Sequence, residues 1–233
     1  MNKSEEELRR ISERYARRTA QTAQRYSRFN ADVLAGVQEK QRALTSLLSR
    51  HGRASLGGCT ILEIGCGSGT NLLELILLGA MPENLVGNEL LPDRLAVASH
   101  MLPGAVRLHP GDAAELPFAD ASFDIVYQST VFSSILDDAL QARIAHSMWR
   151  WLRPGGGVLW YDFTYNNPAN PDVRGVPLAR VRSLFPDARI DARRITLAPP
   201  LARRVVRLHE RLYGLFNLVP LLRTHLLCWI EKP

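Results

Sequence analysis

The spacing of hydrophobic residues changes at about residue 55. Before that point Val33, Leu34, Val37, Leu44, Leu47 and Leu48 recur at helical intervals among Arg, Gln, Glu and Ala, with no run suited to a strand. A helical extension is therefore expected over residues 1–54, its second helix starting after Asn30 as N-cap and stopping near Gly52. From Cys59 onward short apolar runs alternate with helix-patterned segments, the signature of repeated βα units around a mostly parallel sheet. CTILEIG, NLVGNEL, AVRLHP, FDIVYQS and GVLWYDF read as five strands, with helices near 70–80, 92–101 and 137–152 between them. After Pro177 the pattern predicts a short helix, a strand through ARIDARRITL, one helix over about 201–217 and a last strand through LLCWIEK. Two late strands after a parallel set imply an antiparallel strand at an edge. Residues 55–233 are expected to form one domain.

Composition narrows the picture. The chain has 233 residues, 46% of them hydrophobic, enough for one sizeable core. Its first residues, MNKSEEELRRISER, are densely charged, and the longest apolar run, near Leu72 to Met81, is far short of the ~20 residues of a membrane span. A cytoplasmic protein is expected. Cys59, Cys66 and Cys228 form neither a disulfide framework nor a metal-ligand spacing, so no metal is expected. The net charge of +6 comes mainly from scattered arginines without interleaved aromatics, which gives no reason to expect nucleic acid as a partner.

The segment ILEIGCGSGTNLLEL reads as strand, glycine loop, helix, with Gly65, Gly67 and Gly69 where the chain must turn sharply and lie close to a ligand. Glu89 closes the next strand, where a carboxylate can accept both ribose hydroxyls. A nucleoside cofactor follows from the two together. Dinucleotides carry a pyrophosphate that favours GxGxxG and an open helix N-terminus, whereas this loop is GxGxG.

With Glu63 two residues ahead of Gly65, the loop resembles the first motif of the class I S-adenosylmethionine-dependent methyltransferases, close to hExGxGxG with h apolar. The likeness extends over about residues 55–165 in the family's order. It implies a Rossmann-like α/β fold with helices on both faces of a mostly parallel sheet and S-adenosyl-L-methionine as cofactor. In GDAAELPFADASFDIVYQS, Asp112 matches the residue that receives the adenine amino group, and the Ala113 N–H is placed to meet a ring nitrogen; as a residue after Gly111, Asp112 equally suits a turn cap. Phe123 to Val126 match the fourth strand, with Tyr127, Gln128 and Ser129 facing the crevice and Gln128 assigned to the methionine moiety. LRPGGGVLWYDF is similar to the family's LxPGG turn into the fifth strand. The resemblance thus implies cofactor contacts at Glu63, Gly65, Cys66, Gly67, Glu89, Asp112, Ala113 and Gln128. The pattern is similar to the small-molecule, methyltransferase type 11-like group that includes the ubiquinone and menaquinone C-methylating enzymes. QSTVFSSI stands where many amino-group methylators of nucleic acid and protein have NPPY or DPPY.

On the acceptor side, Tyr165, Asn166, Asn167, Asn170, Asp172 and Arg174 follow the fifth strand and are expected to line a pocket for a polar small-molecule or glycan-type acceptor; the same run also suits a rigid turn. Asp162, Tyr165, His209 and His225 are the candidates for a base, none with a partner visible in the sequence. Arg25, Tyr26, Phe29 and Asn30 are read either as a lid over the cofactor or as part of a docked helix. The helix from Leu201 sets Leu201, Val205, Leu208, Leu212, Leu215 and Phe216 against Arg203, Arg204, Arg207 and Arg211, a pattern that fits a surface helix packed on the domain and, alternatively, peripheral contact with an anionic membrane. Two rival functions stay open: a non-catalytic partner subunit that binds the cofactor, and an NAD-dependent oxidoreductase.

Overall fold

Strand β1, Ile61–Ile64, is buried at all four positions, as a central strand covered on both faces requires. It is an interior strand of the sheet in the computed structural model, which describes residues 3–17, 24–167 and 170–233. Around it lie β2 (Leu85–Glu89), β3 (Arg107–Pro110), β4 (Phe123–Ser129), β5 (Leu152–Phe163), β6 (Arg189–Leu197) and β7 (Arg223–Glu231). Their spatial order is β3-β2-β1-β4-β5-β7-β6. Ile61 pairs with Leu85 on one side and Ile125 on the other, both parallel. The chain therefore leaves β1 in one direction to build β2 and β3 and returns to the other side for β4, which opens a crevice at the carboxyl ends of β1 and β4. The expected antiparallel pairing is present at the far end, where β7 runs against both β5 and the outermost strand β6.

Eight helices are described: α1 (Lys3–Ala16), α2 (Ala31–Arg50), α3 (Thr70–Leu77), α4 (Pro92–Met101), α5 (Asp138–Trp151), α6 (Leu178–Leu184), α7 (Pro199–Leu208) and α8 (Arg211–Asn217). Strand residues alternate between faces, so two cores form. Leu62, Val126, Trp160 and Cys228 pack with α5 and α6 and with Ile11 of α1. Ile61, Ile125, Leu159 and Trp229 pack with α2, α3 and α4. Loss of one such ring, in Trp151→Ala, costs about 3–5 kcal/mol.

Three local expectations need correction. The single helix over 201–217 is two, because His209 takes an extended backbone, and its Nδ1 accepts the Arg211 N–H at 3.1 Å to start α8. The LRPGG segment is part of β5, carried as an irregularity where the pairing jumps from Phe123 with Leu152 to Ile125 with Gly157. Asn30 does precede α2, but its side chain makes no capping bond and donates instead to the Gln24 and Arg25 carbonyls. No described helix is long and apolar enough to cross a membrane.

Candidate functional site

The turn from β1 into α3 is held open by backbone that only glycine adopts without strain: φ is +64° at Gly65, +58° at Gly67 and +84° at Gly69. A Cβ at Gly65 would lie 2.6 Å from Val131 Cγ2, in the turn after β4. The loop and that turn thus form the two walls of the crevice. The Cys66 N–H donates to the Asn88 carbonyl at 2.8 Å, which pins the loop to β2, while its thiol is buried against Gly87 and driven up from its ordinary value by burial.

Glu89, at the carboxyl end of β2, accepts the Gly67 N–H at 2.8 Å and the Leu91 N–H at 2.9 Å. Its carboxylate therefore sits on the glycine loop. Glu63 lies beside it, fully buried; Oε1 accepts from Asn71 Nδ2 at 2.6 Å, and Oε2 has no partner among the described residues. Burial pushes the Glu63 carboxyl up to about 8, with the Asn71 bond and the nearby Lys40 ammonium opposing it. Asp112 caps the turn that follows β3, Oδ1 accepting the Ala114 N–H at 2.9 Å, and Arg143 of α5 reaches within 3.5 Å of Oδ2. Ala113 is buried beside it. Gln128 is fully buried, and its amide joins the Val131 N–H and the Tyr161 carbonyl, so it shapes the turn after β4.

Sequence reasoning missed Lys40. It lies on the apolar face of α2, three residues after Val37 and four before Leu44, and a lysine at that position was the available signal. Its ammonium donates to Asn71 Oδ1 at 2.9 Å and Ser129 Oγ at 3.3 Å and lies 4.8 Å from the centre of the Tyr161 ring. The preceding residue, Glu39, accepts from the Thr196 N–H, Tyr213 Oη and Asn217 Nδ2, tying α2 to β6 and α8.

Helix α1 docks on the turn after β4. Arg14 pairs with Glu7 at 2.7 Å in a buried ion pair and donates to the Ser134 carbonyl at 2.9 Å. The Tyr15 hydroxyl meets Ser134 Oγ at 3.2 Å, and its ring lies 5.0 Å from the guanidinium of Arg94, which in turn sits over Gly67. Tyr26 and Phe29, read either as part of a lid or as part of a docked helix, are exposed to solvent.

The loop after β5 folds largely on itself. Asn166 Oδ1 accepts the Gly175 N–H, Asn170 Oδ1 accepts the Asp172 N–H, and the Asn167 carbonyl accepts the Asn170 N–H. Asp172 approaches Arg17 at 3.6 Å, Arg174 pairs with Asp138, and Tyr165 Oη accepts from Arg194 at 2.6 Å. Asp162 is fully buried and lifted by burial to about 6, its two oxygens accepting the Ser133 and Phe163 N–H groups. Burial holds His225 down to about 3, and its ring stacks on Tyr161 at 4.7 Å. His209 is exposed at the break between α7 and α8. None of these side chains is a base free to face the crevice.

Comparison with known proteins agrees with this architecture. The model of a methyltransferase domain matches residues 61–156. The demethylmenaquinone methyltransferase of Deinococcus radiodurans is 29% identical over 149 residues, 62% of this chain and 58% of that one. The chain thus spans less than two thirds of that relative. Among solved structures, an S-adenosylmethionine-dependent methyltransferase from Mesorhizobium loti superposes with a TM-score of 0.60 at 18% identity, covering 83% of this chain and 98% of that one. The [4+2]-cyclase SpnF superposes with a TM-score of 0.61 at 17% identity, covering 84% and 82%, so the fold by itself does not specify methyl transfer. In the motifs on its crevice, the order of its strands and the match over residues 61–156, the chain is similar to the class I S-adenosylmethionine-dependent methyltransferases.

Proposed function

We propose that this chain binds S-adenosyl-L-methionine in the crevice between β1 and β4 and transfers its methyl group to a polar small-molecule or glycan-type acceptor. One observation carries the reading: two buried carboxylates, Glu63 and Glu89, end adjacent strands beside the glycine loop, and Glu63 Oε2 has no partner among the described residues. Such a site suits a nucleoside with a cationic end, and the GxGxG loop departs from the GxGxxG that a pyrophosphate favours, which argues against the NAD-dependent alternative. Glu89 keeps lone pairs for ribose hydroxyls, Asp112 and Ala113 are assigned to the adenine, and the Gly65 to Gly67 backbone lies along the cofactor with Glu63 as acceptor for its ammonium group.

The cofactor supplies an already activated methyl on a sulfonium. The chain's residues are left with positioning and exclusion of water. Asp162 and His225 are engaged in holding the ends of β5 and β7, which fits an acceptor that needs no strong base. Asn166, Asn170 and Gly175, held by hydrogen bonds within the loop after β5, form one wall of the acceptor side, and Tyr165 with Arg194 offers donors at its rim.

Transfer of tritiated methyl from S-adenosylmethionine into extracts of the source cell tests this directly. Label should enter a small-molecule fraction, and Gly67→Val, whose branched side chain is strained at φ +58°, should abolish it while circular dichroism stays native. Absence of label from every fraction, in a chain that binds the cofactor, would favour the non-catalytic subunit.

A further inference from the structure

Residues 199–222, between β6 and β7, carry an unusual surface. Among the described residues they hold six of the fourteen large hydrophobic side chains that are exposed, Leu208, Leu215, Phe216, Leu218, Val219 and Leu221, within fourteen positions. Leu208, Leu218 and Leu221 are 80%, 71% and 79% exposed. Scattered exposed leucines need no explanation, but a contiguous group marks a contact surface. The group is not a frayed end. Tyr213 and Asn217, on α8, donate to Glu39 of α2 at 2.8 and 2.6 Å, and Tyr213 packs with Leu197, Ala202 and Val205 in a small core of its own. The inner side of the segment is thereby fixed, and its apolar outer side faces solvent.

Charge selects the partner. Arg203, Arg204, Arg207 and Arg211 stand in the same segment, none within ion-pair distance of a carboxylate among the described residues, and Glu210 is the only acid between Pro199 and Leu222. A second copy packed on this face would bring arginine against arginine. An anionic lipid surface satisfies both features, since leucines enter the acyl boundary while arginines meet phosphate headgroups.

We propose that residues 199–222 dock the protein on an anionic bilayer, and that the acceptor arrives from that bilayer as a polar headgroup on a lipid tail. The second clause rests on the methyl-transfer reading above. The segment follows the carboxyl end of β6 and precedes β7, on the same edge of the sheet as the crevice. It is joined to the crevice by adjacent residues of α2: Glu39 clamps α8, and Lys40 reaches Ser129 at the end of β4. A headgroup held at the bilayer surface therefore has a short route, under α2, to the place where the methyl group must lie.

Co-sedimentation with phosphatidylcholine vesicles, with and without about one-third phosphatidylglycerol, tests the surface. The full chain should pellet with the anionic vesicles and stay in solution with phosphatidylcholine alone. Binding should fall at least tenfold in Arg204→Glu/Arg207→Glu and in Leu218→Asp/Leu221→Asp, all exposed positions whose replacement leaves the circular dichroism unchanged. No pelleting with anionic vesicles, or equal pelleting by the leucine variant, overturns the proposal. So does a dimer in solution that Leu218→Asp dissociates, because the face would then be covered by a second copy. Binding of S-adenosylhomocysteine is measured on the same samples: vesicle binding without it keeps the docking surface and removes the methyl-transfer reading, and the converse removes only the surface. In the tritium assay, label recovered in the organic phase supports a lipid-borne acceptor, and label confined to the aqueous phase contradicts it.

Discussion

Replacement of Glu89 by alanine separates a cofactor-binding role from a merely structural one. The carboxylate is 5% exposed and accepts two backbone N–H groups, from Gly67 and Leu91, so its removal leaves both donors unpaired at the end of β2. Hydrogen bonds to a charged acceptor contribute roughly 1.5–3 kcal/mol, and the ribose hydroxyls would use the lone pairs that remain. Glu89→Ala should therefore weaken S-adenosylhomocysteine binding by about 1–3 kcal/mol, a rise of about 5- to 150-fold in Kd. The two orphaned N–H groups also lower stability, by an amount that shifts Tm by about 2–4 °C for each kcal/mol lost. A control is needed for that loss. Val181→Ala, on α6 and fully buried in the opposite core, should lower Tm comparably and leave binding unchanged. Isothermal calorimetry with differential scanning fluorimetry on the same samples reads both quantities. Glu89→Ala binding within twofold of the parent, or Val181→Ala losing as much affinity, would refute the assignment.

Glu63 gives a pH test: its folded pKa, about 8, is above its unfolded value, so its contribution to stability is complete at low pH and is lost as pH rises through 8. Between about pH 6.5 and 8, above the windows of Asp162 and His225, the ligand-free protein should lose stability in urea titrations, and Glu63→Gln should remove that slope; an identical slope in the variant would show that Glu63 is already ionised. Arg14→Ala leaves the Glu7 carboxylate buried without its partner, at a cost of about 3–5 kcal/mol, so α1 should detach and S-adenosylhomocysteine should dissociate at least severalfold faster in stopped flow; an unchanged rate with α1 open to protease would deny it a covering role. Asn166→Ala and Arg174→Ala, which release the Gly175 N–H and Asp138, should keep cofactor affinity within about threefold and lower turnover at least tenfold, a loss of ~1.4 kcal/mol; normal turnover in both would move the acceptor site towards α8.

The parallel part of the sheet was legible because its strands are short apolar runs punctuated by glycine, and the local rules for βα units all agree there. Glu63, Gly65, Gly67 and Glu89 could be placed together because the loop and the next strand end are adjacent in sequence as well as in space. The rest depends on contacts between distant residues. The ion pair of Glu7 with Arg14 has meaning only through Ser134 and Leu136, some 120 residues away, so nothing local announced that α1 docks on the turn after β4. Lys40 is an ordinary lysine until Asn71 and Ser129 are brought under it. Gln128 has a role that its place at the end of β4 did not reveal: the turn after β4 leaves the Val131 N–H in need of an acceptor, and Gln128 supplies it. The break at His209 was hidden because the apolar spacing of residues 201–217 continues across it while the backbone does not.

Whether the crevice between β1 and β4 receives S-adenosylmethionine is decided by calorimetric titration of the unmodified chain with S-adenosylhomocysteine and, side by side, with NAD. One saturable site for S-adenosylhomocysteine and no heat of binding for NAD are expected, since the loop is GxGxG and lacks the GxGxxG that a pyrophosphate favours. Saturable binding of NAD with none of S-adenosylhomocysteine would contradict that assignment.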